Sequence, residues 1–110
     1  MRWALILPVL LMACSGVEET PPDVLSEDRF ADVLLESYLI EARTNQEFLG
    51  GRVIAVPPAQ AYAAMFERFG TSKEQFDRSF TYWSERPAEF KVMHEHILNE
   101  LSRRKDELAQ

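Results

Sequence analysis

The chain has 110 residues, a formal net charge of −6, 46% apolar and 27% charged residues, which leaves room for one domain with its core and not for two. An apolar fraction this high excludes low-complexity disorder. An acidic chain lacks the basic footprint that phosphate backbones require, which argues against a nucleic-acid partner.

Met1-Arg2-Trp3 carries one positive charge, and Trp3 to Ala13 is apolar throughout, interrupted only by Pro8. As a helix this run would span about 16 Å, roughly half of a ~30 Å hydrocarbon core, so it is too short to cross a bilayer. A basic start, a short apolar run and a small residue before a cut site predict a secretory signal over residues 1–13. Leu11-Met12-Ala13-Cys14 resembles a bacterial lipobox, in which Cys14 is acylated on its thiol and becomes the N-terminus after cleavage. Cys14 is the sole cysteine, so no intrachain disulfide is possible. Each buried methylene of an acyl chain contributes about 0.8 kcal/mol, and more than one chain makes a durable anchor. The expected membrane partner is therefore reached through lipidated Cys14. Ser15 in place of an aspartate resembles the sorting rule for the outer membrane.

Residues 14–23 read as the lipidated cysteine and a flexible tether, rich in Pro, Glu and small polar residues; Glu18 and Glu19 suit a spacer that anionic headgroups repel. Residues 24–110 read as the folded domain. Ser26 is placed to cap the first helix, with Glu27 and Asp28 at its positive end and Leu25 and Phe30 set to form a hydrophobic staple. Phe30, Val33, Leu34, Ser37, Tyr38 and Ala42 then recur at helical spacing. Residues 45–58, containing Gly50-Gly51 and Pro57-Pro58, are the least regular stretch. Within them Arg52 to Val56 has no strand partner and is expected to be a loop whose apolar residues pack back on the bundle.

A second helix is expected from about Ala59 to Phe69, with Tyr62, Met65, Phe66 and Phe69 on one stripe and Gly70 as its C-cap. Thr71-Ser72-Lys73-Glu74 reads as a capping box opening a third helix, whose inner face carries Phe76, Ser79, Phe80 and Trp83. Pro87 suits the first turn of a fourth helix running to about Leu108, with Phe90, Met93, His94, Ile97, Leu98 and Leu101 on its apolar face. The period is that of a helix almost everywhere. The predicted class is all-α, a small four-helix bundle-like domain behind a lipoprotein signal and a short tether.

Chemistry-bearing residues do not assemble into a catalytic set. The outline from Met65 to Trp83 is that of a helix-turn-helix, but its second helix sets Glu74 and Asp77 against Lys73 and Arg78. His94 and His96 stand two apart on a helix, roughly 200° from each other, and cannot share one ion. His96 and Glu100 have suitable spacing, without an evident third ligand. No G-x-S-x-G elbow and no phosphate-cradling glycine loop occurs, and no cofactor is expected. Asp28, Asp32 and Glu36 form an acidic stripe, read as a contact patch, a cation site or a solvated face. Tyr38 and Tyr82 lie off the inner stripes of their helices. With Asp32 and Glu36 they are the candidate contact surface.

The run from Val24 to Phe30, continuing through Val33-Leu34-Leu35 to Tyr38-Leu39-Ile40-Glu41-Ala42, resembles the opening helix of a family of short lipoproteins of Gram-negative bacteria, domain of unknown function 4296. The second half carries the same resemblance in Phe66-x-x-Phe69-Gly70-Thr71, Glu74-Gln75-Phe76-Asp77-x-Ser79-Phe80-x-Tyr82-Trp83 and Arg86-Pro87-Ala88-Glu89-Phe90. Ser26 and Arg29-Phe30 stand where members usually carry proline and Lys-Met. The resemblance implies a helical, envelope-anchored protein and brings no catalytic residue, cofactor or substrate. The expected role is a non-enzymatic accessory or adaptor that docks on an envelope protein, in the cell envelope and at the outer membrane. The alternative is a small-ligand or lipid carrier with a pocket lined by Tyr62, Phe66, Phe80 and Trp83.

Overall fold

The computed structural model describes residues 19–109, so the signal, the lipobox and Cys14 lie outside the described residues. Four helices make up the described chain: α1 (Glu27–Leu49), α2 (Pro58–Phe69), α3 (Lys73–Ser84) and α4 (Pro87–Leu108), with no strand among the described residues. The all-α, bundle-like reading is correct. α1 packs against each of the other three helices, and α3 also packs against α4.

The apolar stripe of α1 explains that central position. Phe30, Ala31, Val33, Leu34, Leu35, Ser37 and Ile40 are all buried, a face broad enough to receive several neighbours. Met65 of α2, Trp83 of α3, and Met93 and Ile97 of α4 close on it, together with Leu25 from the segment before α1. Phe80 and Leu98, expected on inner faces, are 40% and 64% exposed. Phe80 keeps only its ring edges inside, against Phe30 and Phe90.

Ser26 caps α1 as read, its hydroxyl accepting the Arg29 N–H at 3.4 Å. Ser72 caps α3, its Oγ accepting the Gln75 N–H at 3.1 Å. The reciprocal side-chain bond is then made by Thr71, whose hydroxyl donates to Gln75 Oε1.

Helices α1 and α2 end in the same device. Gly51 and Gly70 have φ of +66° and +65°, a left-handed conformation that costs glycine nothing. Arg52 N–H reaches back to the Glu47 carbonyl and Gly51 N–H to that of Phe48; Thr71 N–H does the same to Phe66 and Gly70 N–H to Glu67. These are Schellman closures, and they satisfy carbonyls that the helix ends would otherwise leave unpaired.

The stretch 45–58 departs from expectation. Asn45 to Leu49 are helical, since no residue before Gly50 opposes continuation. Full burial along α1 stops at Ile40, and beyond it only Thr44 and Glu47 are half-buried, so the end of α1 runs out past the core. The connector starts at that end, and its apolar residues pack back only in part, Val56 lining a groove with Ile40, Ala61 and Met65. Val53 is 89% exposed, and only Ile54 is half-buried.

Candidate functional site

The chain approaches the bundle through a turn at Pro21–Val24, closed by the Val24 N–H on the Pro21 carbonyl, with Asp23 paired to Arg78 at 2.7 Å. Leu25 is then fixed from both sides of its peptide units. Its N–H donates to Ser79 Oγ at 2.8 Å, and its carbonyl accepts the Trp83 indole N–H at 3.0 Å. Ser79 is wholly buried, and its hydroxyl donates in turn to the Gln75 carbonyl at 2.7 Å. Two residues one helical turn apart on α3 thus give a non-helical segment the hydrogen bonds it loses on burial. Ser79 carried a readable signal, a small polar residue on an apolar stripe.

The acidic stripe does not form one patch. Asp32 is exposed, but Glu36 is half-buried and meets Arg104 at 3.2 Å and Arg68 at 3.5 Å, joining α1 to α4 and α2. Arg104 also bonds Glu100, which Arg103 engages through two further nitrogens. The two guanidiniums hold the Glu100 carboxyl well below its ordinary range, at about 2. A carboxyl depressed in the folded state stabilises it above the unfolded value and loses that contribution as pH falls towards the folded one. The urea midpoint of the native protein is expected to fall between about pH 4.5 and pH 2 more steeply than that of Glu100→Gln. Parallel curves would show that the network adds nothing.

Tyr38 sits at the surface with its ring against His94, and its hydroxyl lies 2.8 Å from Nε2. His94 Nδ1 is 2.8 Å from the Phe90 carbonyl. A carbonyl can only accept, so Nδ1 carries the proton, and in the neutral ring Nε2 accepts from Tyr38. Burial raises the Tyr38 phenol above its ordinary value. Tyr82 is half-buried, edge-on to Trp83, with the Arg86 guanidinium 3.5 Å above its ring. Of the four candidate contact residues, Asp32 and Tyr38 are exposed and Glu36 and Tyr82 half-buried. Asp32 and Glu36 line one groove with Arg68, His96 and Arg104.

Two grooves flank α2. One, of about 540 Å³, is lined by Ala59, Tyr62, Ala63, Phe66 and Phe76, with the Lys73–Asp77 ion pair on its rim. It brings together Tyr62 and Phe66 of the carrier set; Trp83 lies in the core instead. Tyr62 is also tied to α1, its hydroxyl donating to Glu41 at 2.5 Å, and burial together with that carboxylate pushes its phenol up to about 12. The other groove, of about 390 Å³, runs between α1 and α2 over Ile40, Val56, Ala61 and Met65, with Arg43 at its edge. His96 is exposed, and among the described residues no three of His, Cys, Asp and Glu gather around a common point.

A helical domain with surface grooves, its N-terminal segment pinned to α3, is the class these features define. The chain belongs to the family described as Domain of unknown function (DUF4296), which it matches over residues 21–107. No curated protein and no solved structure matches it. The match begins at Pro21, where the turn described above starts. No helix among the described residues is long and apolar enough to cross a membrane.

Proposed function

We propose that the protein is a lipid-anchored, non-enzymatic accessory module of the cell envelope, held in the outer membrane through acylated Cys14 and docking on an envelope protein. The observation that carries this reading is the sole cysteine of the chain, placed at the end of Leu11-Met12-Ala13-Cys14 behind a basic and apolar leader. The domain it would anchor is a helical body whose exposed residues include Asp32 and Tyr38. A carrier of a small ligand or lipid is the second reading, favoured by the apolar groove lined by Tyr62, Phe66 and Phe76.

The test combines acylation with capture. Cells fed labelled palmitate should label the wild-type protein and not Cys14→Ser; label retained by that variant would end the lipoprotein reading. Mild in-cell crosslinking should then recover one envelope protein from the wild type, and lose it from an Asp32→Lys/Tyr38→Ala variant. A co-purifying lipid or small molecule without a protein partner would instead establish the carrier.

A further inference from the structure

The projecting end of α1 and the turn after it form an apolar tip of unusual charge. Phe48, Leu49 and Val53 are 72%, 83% and 89% exposed. In a chain with 18 acidic residues, positions 48–66 hold none, and Arg52 is the sole charge among them. The Schellman turn brings Arg52 back beside the helix end, its side chain running along Gly50. The position where such a closure usually places an apolar residue therefore holds a cation, and the neighbouring apolar side chains stay outside. Glu47, the nearest acid, is half-buried. Three large apolar side chains beside an arginine, with Glu47 half-buried behind them, match the layered chemistry of a bilayer surface, apolar below and anionic above.

We propose that this tip is a second membrane attachment, with Phe48, Leu49 and Val53 entering the acyl boundary and Arg52 among anionic headgroups. The geometry of the two attachments rests on the Cys14 anchor of the proposed function; the affinity of the tip for lipid does not. From Cys14 to the Pro21 turn, seven residues reach at most about 25 Å. α1, with 23 residues, is about 34 Å long. The turn and the residues on to Glu27 add to that reach, so the Cys14 anchor lets the tip of α1 meet the same bilayer.

The test uses the full chain produced in a Gram-negative host, carrying Leu49→Cys and a polarity-sensitive thiol fluorophore, reconstituted in vesicles of phosphatidylethanolamine and phosphatidylglycerol. One label per chain reports an acylated Cys14, and two report a free one, so failure of the anchor is seen separately; the tip is then read in a Cys14→Ser background. The expected result is a blue-shifted emission at position 49, quenched by nitroxides placed shallowly in the bilayer and diminished at least twofold by Phe48→Ser/Val53→Ser. A label at Glu74→Cys, exposed in the first turn of α3, should stay in water. Emission at position 49 unchanged while the chain sediments with the vesicles would overturn the proposal. So would a blue shift that grows with protein concentration without lipid, which would make a second copy the occupant.

Discussion

Trp83→Ala lowers the unfolding free energy by about 3–5 kcal/mol, the range for removing a large aromatic side chain from a core. Trp83 is 5% exposed and is the one bulky core residue of α3. Its loss opens a cavity between α3 and α1 and also leaves the Leu25 carbonyl without its donor. Trp83→Phe separates the two effects, retaining most of the ring and losing the hydrogen bond, at about 1–3 kcal/mol. Ser79→Ala falls in the same range, since the buried Leu25 N–H then has no acceptor. Because both side chains hold one residue, the double variant should cost less than the sum of the singles. Urea denaturation of the wild type and the four variants checks this. Strict additivity would mean that the two hydrogen bonds act independently, and an unchanged midpoint for Trp83→Ala would contradict its core position.

Phe30→Ala is expected to cost a similar 3–5 kcal/mol. Phe30 is 0% exposed, and its ring meets Phe76 at 5.6 Å and Phe80 at 6.4 Å between centroids. It is the point where α1 engages the aromatic face of α3, and Phe80 in turn stands edge-on to Phe90 of α4 at 5.8 Å. Removing Phe30 leaves Phe76 and Phe80 without the ring between them. A domain of this size has about 5–15 kcal/mol of stability in total, so thermal unfolding should move down by more than 10 °C. Phe80→Ala, on a residue already 40% exposed, should cost clearly less. Equal losses at the two positions would show that the shell of rings, and not burial at Phe30, sets the stability.

The helical architecture was legible because each helix has a strong period and a chemical signal at an end: Ser26, Gly70, Ser72, Pro87. These are local interactions, decided by a few neighbouring residues. The misreadings have a common cause as well. Gly50-Gly51 marked a break, but the residues before it were read with the loop although nothing in Asn45 to Leu49 opposes a helix. Whether Val53 and Val56 find cover depends on where the overhanging helix places them, which is a tertiary matter. The contact candidates fared likewise. Tyr38 and Tyr82 were singled out by angle on a helical wheel, and a wheel does not show Arg86 lying over Tyr82 or His94 meeting Tyr38. Glu36 joined the acidic stripe by its spacing, yet its partners Arg68 and Arg104 are 32 and 68 positions away. The clamp on Leu25 was visible only as an oddly polar Ser79. Its partner lies 54 residues away in the chain, beyond any local pattern.

That clamp has a mechanical consequence. Any pull on the chain N-terminal to Leu25 reaches α3 through Ser79 and Trp83 before it reaches the first turn of α1. The two hydrogen bonds lie on either side of one residue, so they share the load instead of parting in succession. The Asp23–Arg78 ion pair lies one step further out, at the surface. A pull from the N-terminal side is thus delivered to α3, which is backed by α1 and α4.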